Sequence, residues 1–154
     1  MLKSGMPLAD RLVVVYATGF GSGFSPFAPG TAGSLVGVGI FWIIHPMPLP
    51  MYIAFTVALT LTGIPIATRA EKIFWQKDSP KIVIDEIAGQ LIAFIAVPFT
   101  LGNVLAGFLL FRLFDIWKPF RRLEKLSGGT GVMLDDVAAG LCALAVLQLF
   151  IYLS

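Results

Sequence analysis

The chain has 154 residues, 57% hydrophobic and 13% charged, with a net charge of +2 and a mean hydropathy of +0.88. A soluble domain carries about 25% charged residues, so this deficit argues for one membrane-embedded domain over 1–154, and so small a net charge argues against nucleic acid as a partner. The single cysteine, Cys142, lies in an apolar run and excludes a disulfide framework or a cysteine zinc site.

Residues 1–17 mix Lys3, Asp10 and Arg11 with the run LVVVYA, which suits a buried or interfacial helix start better than a span. No signal-peptide architecture precedes the first Gly-rich stretch, so no cleaved leader is expected. Residues 18–34, TGFGSGFSPFAPGTAGS, read as a Gly/Pro/Ser/Thr loop. Residues 35–44 are apolar but short for a bilayer, and predict a short or re-entrant helix ended by His45 and PMPLP. Residues 51–68 approach the ~20 apolar residues of a span, with Pro65 placed to kink its end. After a polar connector over 69–81, residues 82–99 form a second long run that opens on Asp85 and Glu86. Pro98, Gly102 and Asn103 mark a tight turn. Residues 104–117 run apolar into Arg112 and Asp115, 118–134 form a basic and then Gly-rich connector, and 137–153 form the last span. There is no strand-like alternation. The expected fold is all-α, an integral membrane bundle of four to five apolar helices with the Gly-rich loop facing the cytoplasm.

Charge supports this threading. All eleven Lys and Arg residues fall in 1–34, 69–81 and 118–134, or beside them at Arg112, and the opposite connectors hold none. The positive-inside rule makes that side cytoplasmic. The Gly-rich loop, the acidic pairs Asp85-Glu86 and Asp135-Asp136, and the Arg112–Lys118 segment all reach the same side.

Carboxylates beside hydrocarbon are costly, and there they mark a functional site by default. Clustered acids with little His or Cys nearby suit a hard cation such as Mg²⁺. Gly89 stands one turn after Asp85, leaving room for an ion or another helix; the bland alternative is that the acids complete a helix dipole. Gly19, Gly21, Gly23, Gly30 and Gly33, with Thr18, Ser22, Ser25, Thr31 and Ser34, make either a phosphate cradle of backbone N–H groups or a plain connector. No Gly-Lys-Ser/Thr follows, so it is not a Walker loop. Arg112, Asp115 and Lys118 share a helix face. They form either a salt-bridge ladder or a split site, with Asp115 on metal and the two cations on phosphate. Gly128-Gly129-Thr130-Gly131 leads into Asp135 and Asp136, which can bind metal, cap a helix, or do both. His45 falls on the opposite side. Arg121, Arg122 and Lys125 are expected to meet anionic lipid headgroups.

Four blocks carry a resemblance: residues 18–34, VIDEIAGQ at 83–90, FRLFDIWKPF at 111–120, and GGTGVMLDDVAAG at 128–140. In this order they resemble the phosphatidylglycerophosphatase A family, membrane phosphatases that convert phosphatidylglycerophosphate to phosphatidylglycerol. The resemblance implies a helical fold, Mg²⁺ dependence and a multi-pass place in the bacterial cytoplasmic membrane. One departure is that the family continues the Lys-Pro segment with a second Pro and an Ile before an Arg, whereas Phe120 here meets Arg121 directly.

With no placed His and no plausible Cys nucleophile, phosphoryl transfer would rest on positioning and charge neutralisation. Asp85, Glu86, Asp115, Asp135 and Asp136 are the expected ligands of one or two Mg²⁺ ions, one acid serving as base or forming an aspartyl-phosphate. Gly21, Gly23, Pro29, Gly30, Thr31, Gly33, Ser34, Arg112 and Lys118 are the expected phosphate holders. Three other readings were weighed. A CDP-alcohol phosphatidyltransferase needs an Asp-Gly, Ala-Arg and paired-Asp pattern that is absent. A small ion-binding or transport protein would place its acids near the midplane. A soluble helical relative is the third.

Overall fold

The computed structural model describes residues 5–118 and 128–153, and these form six α-helices and no strand. They are α1 (Leu8–Ala17), α2 (Pro29–Ile44), α3 (Leu49–Phe74), α4 (Ile84–Ala93), α5 (Leu101–Trp117) and α6 (Gly129–Leu153), with one 3₁₀ turn at Ser22–Phe24. Two of them, α3 and α6, are long and apolar enough to cross a membrane. The Phe120–Arg121 junction, where the chain departs from the family's pattern, and the basic trio Arg121, Arg122 and Lys125 lie outside the described residues.

Three expected boundaries move. The helix predicted over 35–44 begins at Pro29, inside the stretch read as loop. Proline suits a first helical turn, because its missing N–H would have had no partner there. Gly30, Thr31, Gly33 and Ser34 are therefore helical. The span predicted over 82–99 shrinks to the ten residues of α4, about 15 Å at 1.5 Å per residue, too short to cross a bilayer. The chain then turns through Phe94–Ala96 and stays irregular to Thr100, whose hydroxyl caps α5 by accepting from Asn103 N–H at 3.2 Å. The last helix starts at Gly129 rather than 137, which places Asp135 and Asp136 in its second turn and not at a cap. Pro65 sits on an exposed position of α3, and the helix runs on to Phe74.

The short helix is the core. Nine of its ten residues are buried, Asp85 and Gln90 among them, because it packs against α2, α3, α5 and α6. Neighbours on nearly every side explain why even its polar residues Asp85 and Gln90 are buried. Glycines set how close the neighbours come. A methyl group on Gly89 would meet the Asp136 carbonyl oxygen at 2.6 Å and the Phe111 ring at 2.5 Å; one on Gly140 would collide with the Gly89 carbonyl. This backbone-on-backbone crossing is how helices associate where water supplies no hydrophobic drive between them. Gly140→Val will push α4 and α6 apart at a cost of about 1–3 kcal/mol, read as a lower melting temperature in detergent micelles. An unchanged melt would show that the crossing has slack.

Short connections alternate the helix directions. The starts of α2, α4 and α6 and the ends of α3 and α5 meet at one end: Gly30 packs on Glu86 and Arg112, and Gly129 on Ile64 and Thr68. The opposite end is aromatic. Phe41 stacks on Phe94 with centroids 4.4 Å apart, and His45 stacks on Phe99 at 4.2 Å. His45 also bonds the Trp42 carbonyl through Nδ1 at 2.7 Å, so the histidine belongs to a packing cluster far from the acids.

Candidate active site

The first turn of α4 and the second turn of α6 bring Asp85, Glu86 and Asp136 together, each able to offer one carboxylate oxygen within 4.8 Å of the others. Asp85 Oδ1, Glu86 Oε2 and Asp136 Oδ2 are buried without a hydrogen-bond partner. Buried polar atoms are nearly always satisfied, so three unpartnered carboxylate oxygens in one such cluster make it a candidate cation site. The donors are all hard oxygens, which fits Mg²⁺. On α4, burial first and then the negative charge of Glu86 hold the Asp85 carboxyl well above the usual carboxylate range. Burial also raises that of Glu86. A bound divalent cation reverses this, since an opposite charge at contact favours the ionised form.

The other two acids hold cations instead. Asp115 pairs with Arg112 one turn earlier on α5, both side chains mostly buried at 13% and 16% exposure. Lys118, in the left-handed conformation just past α5, reaches Asp135 Oδ2 at 3.2 Å. Arg112 also points Nη1 at Ser34 Oγ, 3.5 Å away, while the serine hydroxyl donates to the Gly30 carbonyl at 2.9 Å. A Cβ on Gly30 would meet Glu86 Oε1 at 2.5 Å and the Arg112 guanidinium at 3.2–3.3 Å. Glycine lets the start of α2 approach both groups without displacing either side-chain end. The starts of α2 and α4 thus bring two positive helix ends to the acids, Gly30 lying against Glu86 and Asp85 and Glu86 standing in the first turn of α4, a place where an anion is also welcome.

A pocket of about 90 Å³ opens over the trio. Its walls include Asp85, Glu86, Asp115, Lys118, Asp135 and Asp136, together with the α3–α4 connector at Lys77–Pro80 and the α6 start at Gly128, Gly131 and Val132. Gly30, Ser34 and Arg112 adjoin it through Glu86. Gly21 and Gly23 do not line it: Gly23 is covered by the Lys81 carbonyl, and Gly21 sits at φ +96° in the turn after α1 with open space beside it. Gly33 packs on Val83, and Pro29 and Thr31 are half-buried in the first turn of α2. Sequence reasoning missed Lys77 and Ser79, whose Asp-Ser-Pro context carries only a turn signal. It also missed Gln90, fully buried one turn below Glu86 with both amide atoms unpartnered.

The sequence model of the family described as Phosphatidylglycerophosphatase A matches residues 15–151. A protein of Bacteroides thetaiotaomicron, provisionally named a phosphatidylinositol-3-phosphatase, is 46% identical over 140 residues, covering 84% of this chain and 87% of its own. The phosphatidylglycerophosphatase A of Escherichia coli K12 is 35% identical, over 85% of this chain and 78% of its own. That of Haemophilus influenzae is 38% identical, over 84% and 83%. No solved structure matches the chain.

Proposed function

The chain belongs to the phosphatidylglycerophosphatase A family and is a phosphatase, and from that premise we propose that it removes the terminal phosphate of phosphatidylglycerophosphate, leaving phosphatidylglycerol and inorganic phosphate. The observation that carries the reading is the convergence of Asp85, Glu86 and Asp136, with orphaned oxygens, at the start of α4. It supports a multi-pass enzyme of the bacterial cytoplasmic membrane whose site faces the cytoplasm, the side on which the lysines and arginines gather.

In this reading Asp85, Glu86 and Asp136 would hold Mg²⁺, which would supply charge neutralisation for the phosphate and Lewis-acid help in activating water. Arg112, fixed by Asp115 and Ser34, presents its fork to the phosphate oxygens. Lys118, at the end of the same helix and held by Asp135, adds a point charge. Gly30 keeps the first turn of α2 close enough for its backbone N–H groups to share the load. The water oxygen forms a bond to phosphorus as the bond from phosphorus to the glycerol oxygen breaks. An acid not committed to metal takes the water's proton, and the leaving alkoxide is protonated. The orphaned oxygens of the trio, against the cation partners of Asp115 and Asp135, favour this division of the five acids over one in which all five bind metal.

One observation favours a second substrate: the relative at 46% identity is named for a phosphoinositide. Both lipids carry a phosphomonoester on a polyol that a phosphodiester ties to diacylglycerol. Detergent-purified protein given each lipid in Mg²⁺ is expected to release inorganic phosphate, faster from phosphatidylglycerophosphate, and to stop in EDTA. Release unaffected by EDTA sinks the metal assignment; no release from either lipid sinks the function.

A further inference from the structure

A second depression adjoins the acid pocket. It is a shallow, open hollow of about 530 Å³ at the end of α3, lined by Glu71, Lys72, Trp75, Gln76 and Lys77. Lys77 lines both cavities. The connector that presents this lysine is pinned: Glu71 Oε1 accepts the Asp78 N–H at 2.7 Å, and Asp78 is held at φ +47°. The Glu71 carboxylate is thereby engaged with backbone. The other cations around the acids have carboxylate partners, Arg112 on Asp115 and Lys118 on Asp135, whereas among the described residues Lys77 has none within ion-pair distance. Beside it Trp75 is 92% exposed, the placement of an indole at the headgroup level of a bilayer.

We propose that this depression binds the phosphodiester that joins the lipid's headgroup to its diacylglycerol, with Lys77 as the principal contact and Lys72 as the second. The proposal rests on the acid pocket receiving the terminal phosphate. Such a substrate carries two anionic groups separated by a polyol. The acid-lined pocket offers a place for one of them, on its metal and its acid-held cations. The other needs a separate basic surface, contiguous with the pocket and at headgroup depth, and the Lys72–Lys77 depression meets each condition. It also accounts for relatives named for glycerol-based and inositol-based lipids: a site that reads two phosphates tolerates different polyols between them.

The test uses Lys77→Gln, with Lys81→Gln as a control that removes the same charge nearby; Lys81 lies over the Phe74 ring, 5.4 Å from its centroid, and lines neither cavity. Phosphate release from phosphatidylglycerophosphate is measured in micelles of fixed composition. The inhibitors are phosphatidylglycerol, which keeps only the diester, its tail-free counterpart glycerophosphoglycerol, and inorganic phosphate, which stands for the monoester. In Lys77→Gln the KM and both diester inhibition constants rise about tenfold, the loss of one charge-assisted contact. The constant for inorganic phosphate stays put, and Lys81→Gln matches wild type. An equal rise for inorganic phosphate, an equal effect in Lys81→Gln, a rise confined to the lipid-borne diester (a membrane-surface effect), or no inhibition of wild type by either diester overturns the proposal. Wild type that hydrolyses no lipid overturns the functional reading and this inference together; active wild type without the selective shift removes the inference alone.

Discussion

Asp85→Asn will lower the rate of phosphate release about a thousandfold at saturating Mg²⁺, yet the metal-free variant will melt higher than metal-free wild type. The two signs have one cause. Asp85, Glu86 and Asp136 hold their oxygens within 4.8 Å of one another and bury three of them without partners. In the absence of a cation that arrangement is a strain on the fold, because like charges in a dry site oppose each other and lack water. Asparagine keeps the shape and removes one charge, so the empty site relaxes. The same change removes a ligand charge from the metal, and activity falls. Melting curves in EDTA and in Mg²⁺, run beside turnover, check both halves. The Mg²⁺-induced rise in melting temperature should shrink in the variant. Activity within tenfold of wild type, or a metal-free variant that melts below wild type, would count against the trio as the metal site. Such a trade between stability and activity is common where a strained site does the chemistry.

Arg112 gives the second large effect. Its guanidinium pairs with Asp115, reaches toward Ser34 and lies against Gly30 and Glu86. Arg112→Lys keeps a charge but has no planar fork, so it can hold Asp115 or reach the phosphate, not both in line. We expect kcat/KM to drop about a hundredfold with little change in melting temperature. Arg112→Ala should be worse in both respects. It leaves Asp115, 13% exposed, without its counter-charge, which costs toward the lower end of the ~3–5 kcal/mol seen for broken buried pairs. If Arg112→Lys retains full kcat/KM, the arginine is a structural partner of Asp115 and the phosphate is held elsewhere.

Much of this arrangement was readable in the residues, and the misreadings have physical reasons. Acids that open apolar runs were a sound signal because hydrocarbon tolerates a carboxylate only for a purpose, and Asp85, Glu86 and Asp136 meet. Hydropathy alone could not show that 82–99 is half helix and half irregular chain: a buried coil is as apolar as a buried helix, and only Pro98 hinted at the break. The glycines misled in the other direction. Gly30, Gly33, Gly129 and Gly131 read as loop because glycine is a weak helix former, whereas here they are helical positions; Gly30, Gly33 and Gly129 lack a side chain because Glu86, Val83 and Ile64 lie too close. Lys77 had no local signature. Its place over the acids follows from how the α3–α4 connector folds back, a tertiary fact.

The central position of α4 also has a consequence for how the protein is made. Ten residues carrying Asp85, Glu86 and Gln90 leave the ribosome while α6, which covers their inner face, is still some sixty residues from completion. At about 5–20 residues per second that gap lasts several seconds. For that interval the most buried helix of the finished enzyme has its acids and amide uncovered on the side that α5 and α6 will close. At ten residues it is too short to span a bilayer alone, and its carboxylates can meet Asp136 only once α6 has begun to emerge.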